Sequence, residues 1–126
     1  MRTILLAAVF AASVSTTPAF AADPAMTAQT TKGPTLVDAK SMTLYTFDKD
    51  TAGKSACNGP CAANWPPLAA PASATTMGSY AVVTRDDGSK QWAYKDKPLY
   101  TWAKDTKPGD ITGDGFLNGA WHVAQP

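Results

Sequence analysis

Two stretches of this chain are near-copies of each other. Leu44-Tyr-Thr-Phe-Asp-Lys-Asp-Thr51 aligns with Leu99-Tyr-Thr-Trp-Ala-Lys-Asp-Thr106 at an offset of 55 residues, differing only at Phe47/Trp102 and Asp48/Ala103. The match continues after one inserted residue, where Asn58-Gly59 precedes Trp65 as Asp114-Gly115 precedes Trp121. Such a duplication constrains the fold strongly, because each copy is one supersecondary unit and the two must pack as equivalents. Each half reads as a hairpin, a Tyr-x-aromatic-x-x-Asp segment, a loop, a Gly and a Trp.

The chain between these segments has the punctuation of a β protein. All ten acids are Asp, and they accompany ten Pro and nine Gly. Asp, Gly and Pro each favour tight turns. Thr35–Val37 and Met42–Phe47 form one expected hairpin around Asp38-Ala-Lys-Ser41. Tyr80–Thr84 and Lys90–Tyr94 form a second around Arg85-Asp-Asp-Gly88, followed by a Lys95-Asp-Lys97 turn, a strand over Pro98–Trp102 and a last strand over Ala120–Ala124. Cys61–Trp65 can make one helical turn, which Pro66-Pro67 must end. The expected fold is mainly β: a single small antiparallel β domain of two pseudo-symmetric hairpin-plus-loop repeats, with at most short helical turns.

The N-terminus reads as an address. Arg2, the apolar run from Ile4 to Val14 and Ala19-Phe20-Ala21 make a secretory signal peptide with a cut before Ala22. The run is shorter than a bilayer span. The expected organisation is a signal peptide at 1–21, a flexible N-terminal arm at 22–33 and a two-repeat β domain at 34–126. Repeat 1 covers about 34–68, a connector 69–79 and repeat 2 about 80–126. Without Arg2, nine Lys and Arg85 balance ten Asp. A neutral, mixed surface argues against nucleic-acid partners and against electrostatic attachment to membranes. The expected location is periplasmic or secreted.

Tyr45, Phe47 and Asp50 fit the pattern Yx(FWY)xxD, as do Tyr100, Trp102 and Asp105. Together with Cys57-Asn-Gly-Pro-Cys61-Ala-Ala-Asn-Trp65-Pro-Pro, they make the chain resemble the bacterial secreted-repeat proteins, predicted lipoproteins with that conserved motif. The resemblance implies an exported repeat domain and no particular activity. Many members are lipoproteins, whereas this signal sequence has no lipid-accepting Cys at its cut.

Comparing the halves sorts the candidate residues. Features present twice serve the shared fold; features present once are candidates for a local role. Tyr45, Phe47, Asp50 and Trp65 recur as Tyr100, Trp102, Asp105 and Trp121, so they are read as structural. The tyrosine rings are expected to be buried with partnered hydroxyls, and Asp50 and Asp105 to hold backbone N–H groups at the strand exits. Cys57 and Cys61 occur only in the first half and, in an oxidising compartment, are expected to form a disulfide. With His122, the only histidine, they are also the candidate ligands of a copper site, since thiolates suit Cu(I). The strand alternation sets His122 opposite Trp121 and Val123 and favours a surface histidine instead. Asp105, Asp110 and Asp114 could offer oxygen ligands to calcium, though their spacing matches no EF-hand. No catalytic motif is present. The functional expectation is therefore an exported non-catalytic domain without a cofactor, binding an envelope protein or a small ligand. Periplasmic copper handling or a thiol redox role is the alternative.

Overall fold

The computed structural model describes residues 23–126; the signal-peptide reading of 1–21 and the cut before Ala22 lie outside them. Two hairpins supply the outer walls. In the first, β1 (Met26–Thr30) pairs antiparallel with β2 (Gly33–Val37). The chain then turns at Asp38, whose carboxylate accepts the N–H groups of Lys40 and Met42, both at 2.9 Å. It returns through a Val37–Thr43 bridge into β3 (Tyr45–Phe47). This is the expected hairpin, closed by Asp turn chemistry. In the second, β4 (Tyr80–Thr84) pairs with β5 (Lys90–Tyr94), and β5 with the short β6 (Lys97–Pro98).

The copies do not pack as two separate units. They exchange strands. β3 of the first copy pairs with β7 (Trp121–Val123) of the second, in the register Tyr45↔Val123, Thr46↔His122 and Phe47↔Trp121. The second copy does the same in return. Tyr100 bridges Pro67, the Thr101 N–H donates to Pro66 O at 2.8 Å, and the Ala103 N–H donates to Asn64 O at 2.9 Å. The Trp-bearing segment of each copy thus continues the other copy's sheet. At the centre, Tyr45 and Tyr100 donate backbone N–H groups to each other's carbonyls at 2.7 and 3.0 Å. The local twofold axis of the duplication passes between these two residues.

The strand expected over Pro98–Trp102 is broken up for this reason. Lys97 and Pro98 pair with β5, the Leu99 N–H still donates to Trp92 O at 3.0 Å, and Tyr100 is taken by Tyr45 and Pro67. The helical turn is α1 (Pro60–Asn64), opened by Pro60, where a missing N–H costs nothing. The loop expected from Lys104 to Asn118 ends in a turn at Phe116–Gly119, with Leu117 and Asn118 in the left-handed region at φ 54° and 55°.

The flexible arm expected over 22–33 is a correction. From Met26 onward its residues form β1 and the turn into β2, with five paired positions. Ala25 is buried with Leu36, Leu44, Leu99 and Ala124 in one of two core clusters. Its polarity misled the reading: β1 lies at an edge with one side in water, and threonine is a good strand former there.

Candidate functional site

The repeat motif is spent on joining the halves. The Tyr45 hydroxyl donates to Asp105 Oδ2 at 2.5 Å, and the Tyr100 hydroxyl donates to Asp50 Oδ2 at 2.6 Å. Each tyrosine therefore closes on the aspartate of the other copy. The remaining carboxylate oxygens hold the loops, as expected from the sequence. Asp50 Oδ1 accepts the Ala56 N–H at 2.7 Å, and Asp105 Oδ1 accepts the Thr112 N–H at 3.0 Å and its hydroxyl at 2.6 Å. Burial, reinforced by the neighbouring carboxylate, drives both phenols well above the usual tyrosine range. Burial also raises the Asp50 carboxyl, against the lowering pull of Tyr100, the Ala56 N–H and Arg85.

The aromatic residues form one column. Trp65 and Trp121 stack at 3.8 Å between centroids, Phe47 lies on the far face of Trp121 at 4.1 Å, and Trp102 lies on Trp65 at 4.0 Å. Rings of the two copies alternate along it in swapped pairs. Tyr45 and Tyr100 meet Trp65 and Trp121 edge-on, at 5.2 and 5.1 Å. Of the residues expected to be structural, all eight therefore meet in one interlock.

Cys57 and Cys61 are joined in a disulfide. Cys57 belongs to the same buried cluster as Trp65 and Trp121. Its counterpart is Gly113, where an added Cβ would sit 2.5 Å from Trp65 and 3.0 Å from Trp102. The six-membered ring of Trp65, with Trp102 Cγ beside it, fills the space that a side chain at 113 would need.

Arg85 belongs by sequence to the turn of the second hairpin, and nothing local marks it as buried. It is buried, and its guanidinium donates to Ser55 Oγ at 2.9 Å, to Gln91 Oε1 at 2.8 Å and to the Cys57 carbonyl. Ser55 Oγ lies 2.6 Å from the Tyr100 hydroxyl, so the network reaches Asp50. The available signal was composition: beyond Arg2, every other basic residue is Lys, and Arg alone has a planar fork that serves several acceptors.

His122 does not join the cysteines. It stands on the exposed side of β7, while Trp121 and Val123 face the core that holds Cys57. Its Nε2 pairs with Asp48 Oδ2 at 2.7 Å. Among the described residues, no three His, Cys, Asp or Glu side chains converge as a metal site would need. Asp105, Asp110 and Asp114 are each engaged separately. Asp110 accepts the N–H groups of Thr106 and Lys107. Asp114 accepts the Val123 N–H and pairs with Lys32 at 3.0 Å. Burial opposes the Asp114 charge, but these two partners prevail and hold its carboxyl below the ordinary value.

Among several concave regions, one lies beside β3 and β7. Two adjoining hollows of about 270 and 370 Å³ share Thr46, Asp48, Lys95 and Lys97. The first extends over Ala52 and Asp96, the second over Tyr94, His122 and Gln125. Lys95 and Asp96, at the tip of the turn beside it, both have positive φ, at 48° and 67°. Neither lysine has a carboxylate partner within ion-pair distance among the described residues.

A family described as a secreted repeat of unknown function matches residues 26–69 and again 81–125. Neither the curated proteins nor the solved structures give a match. The two matched segments coincide with the two interlocked copies and leave out most of the connector between them. No helix among the described residues is long and apolar enough to cross a membrane.

Proposed function

Because the chain belongs to the family of secreted repeats of unknown function, we propose that it is an exported, non-catalytic domain that binds a ligand or partner in the groove beside β3 and β7. Export would follow from the signal sequence at 1–21, with the mature chain starting at Ala22. The observation that carries the binding reading is a break in the internal symmetry. Asp48 and His122, paired in the groove, correspond to Ala103 and Pro66 in the opposite copy. The fold needs neither of them, since the opposite copy builds the same strand exchange without them. Nearby, the turn at Lys95 and Asp96 accepts left-handed backbone geometry at non-glycine residues, a cost that tends to collect at functional sites. Two lysines, a His–Asp pair and a tyrosine around a hollow of this size suit a small polar ligand or an extended polar segment.

The experiment is affinity capture from envelope extract with the mature protein as bait. The wild type is compared with His122→Ala and with the double variant Lys95→Ala/Lys97→Ala. Loss of the captured species in both variants, with unchanged circular dichroism, supports the groove. Equal capture by all three folded proteins contradicts it.

A further inference from the structure

The exchange of strands between the copies means that neither copy owns a complete core. The first lends β3 to β7 of the second, and the second lends Tyr100–Ala103 to Asn64–Pro67 of the first. Both tyrosine–aspartate bonds and the central Trp65–Trp121 stack cross the boundary. Every one of these contacts is made between sequence copies whose covalent link is the connector alone. That connector, from Ala70 to Ser79, is rich in Ala, Ser and Thr, and most of it is exposed. None of the contacts that make the interlock requires both copies to come from the same chain.

We infer that the surface each copy presents is a docking site for the complementary copy of a second chain. Two such chains can then form a repeat-exchanged dimer with both interlocks intact. This is independent of the groove reading and uses the opposite kind of residue, those present in both copies rather than in one.

The connector sets the balance. Its ends are pinned alongside β5: Ala70 donates to Lys90 O at 3.0 Å, and Ser79 accepts from the Lys95 N–H at 2.9 Å. Those two partners sit five residues apart along an extended strand, about 17 Å. The present connector reaches about 30 Å when stretched, so it closes easily within one chain. A short flexible tether holds its far end at about millimolar effective concentration. Folding at ~10 µM then leaves about one chain in a hundred exchanged, and folding at ~1 mM leaves about half. Removal of residues 71–75 cuts the reach to about 14 Å, too short to close. That variant is left with exchange as its only route to the folded state.

The test uses two copies of the mature chain, each carrying its own tag at both termini, unfolded together, refolded at low and high concentration, and separated by size with light scattering. A second version carries a protease site written over residues 72–76, so that the connector can be cut after folding. The expected wild-type result is a dimer fraction that rises with refolding concentration and holds both tags. The expected result for the 71–75 deletion is a folded dimer at every concentration. When the connectors of the protease-site version are cut, an exchanged dimer of the two tagged chains falls to particles of monomer mass that still carry both tags. A dimer formed by surface contact stays at dimer mass, and that result overturns the inference. So does a deletion variant that folds as a monomer, or wild type that stays free of mixed-tag dimers after refolding at ~1 mM.

Discussion

Tyr45 donates its hydroxyl hydrogen to Asp105, sixty positions further along the chain, at 2.5 Å. Its counterpart Tyr100 reaches back to Asp50 at 2.6 Å. Within either sequence motif the Tyr and Asp are close neighbours, and yet neither bonds to the other. The spacing Tyr-x4-Asp encodes a relation between copies: the Tyr reaches across the twofold axis, while the Asp waits at the strand exit for the opposite Tyr.

Removing either hydroxyl should be costly, because each bond is buried and ends on a carboxylate. Tyr45→Phe is expected to lower stability by about 2 kcal/mol, the usual worth of a hydrogen bond to a charged group. Tyr100→Phe is expected to cost more, since its hydroxyl also meets Ser55 and through it Arg85. Urea denaturation of the two variants checks both the size and the order.

Gly113 is a packing constraint. Gly113→Ala is expected to destabilise by about 1–3 kcal/mol, as overpacked positions do, because the new methyl meets the Trp65 ring at 2.5 Å. Trp65→Phe removes the indole atoms nearest the new methyl and should recover part of that loss when the two changes are combined. A double-mutant cycle of thermal melts measures the coupling. Additive losses would show that the ring at 65 does not govern the room at 113.

The first copy can spare its disulfide. Cys57→Ser with Cys61→Ser is expected to cost about 2 kcal/mol, the entropic value of so short a loop. The fold should survive, since Arg85 still holds the Cys57 carbonyl and Asp50 still holds the Ala56 N–H. Arg85→Lys in that background should then unfold the loop, because an ammonium cannot span the three acceptors. Circular dichroism and proteolysis of the loop distinguish the two variants.

The tyrosines also set an alkaline limit. Tyr45 and Tyr100 have folded pKa values above their unfolded ones, so folding binds the protons more tightly. The stability they contribute is complete below about pH 10, the unfolded value, and is lost as pH rises above it. Absorbance titration should show these two phenols ionising only together with unfolding, not as a separate earlier step. Asp114 acts in the opposite range. Its lowered carboxyl contributes stability above the ordinary aspartate value that is lost as pH falls through its folded pKa.

The sequence carried the duplication, the β class, the two expected hairpins and the disulfide pair, because each has a local signature: a near-identical repeat, turn residues, or two cysteines close in the chain. It hid the partner of each motif residue. Copies of a repeat carry identical marks whether they pack within themselves or across, and only the three-dimensional register separates the two. β1 was hidden by its polarity, though the repeat offset, applied to Tyr80–Thr84, lands on residues 25–29 and would have marked it. Arg85 looked like a turn residue because burial is a property of what folds over it, here Ser55 and Cys57 from the opposite copy. The groove was invisible for the same reason: Asp48, Lys95 and His122 lie far apart in sequence and meet only through the exchange.

The interlock itself is tested most directly by dividing the chain inside the connector. Residues 23–69 and 70–126, produced separately, are followed by amide NMR spectra alone and after mixing in equal amounts. The account predicts that neither fragment gives the dispersed spectrum of a folded monomer, and that the mixture recovers the spectrum of the intact protein. A fragment that folds as a monomer by itself would show that a copy can complete its own core, and would contradict the exchange of strands, rings and Tyr–Asp bonds between them.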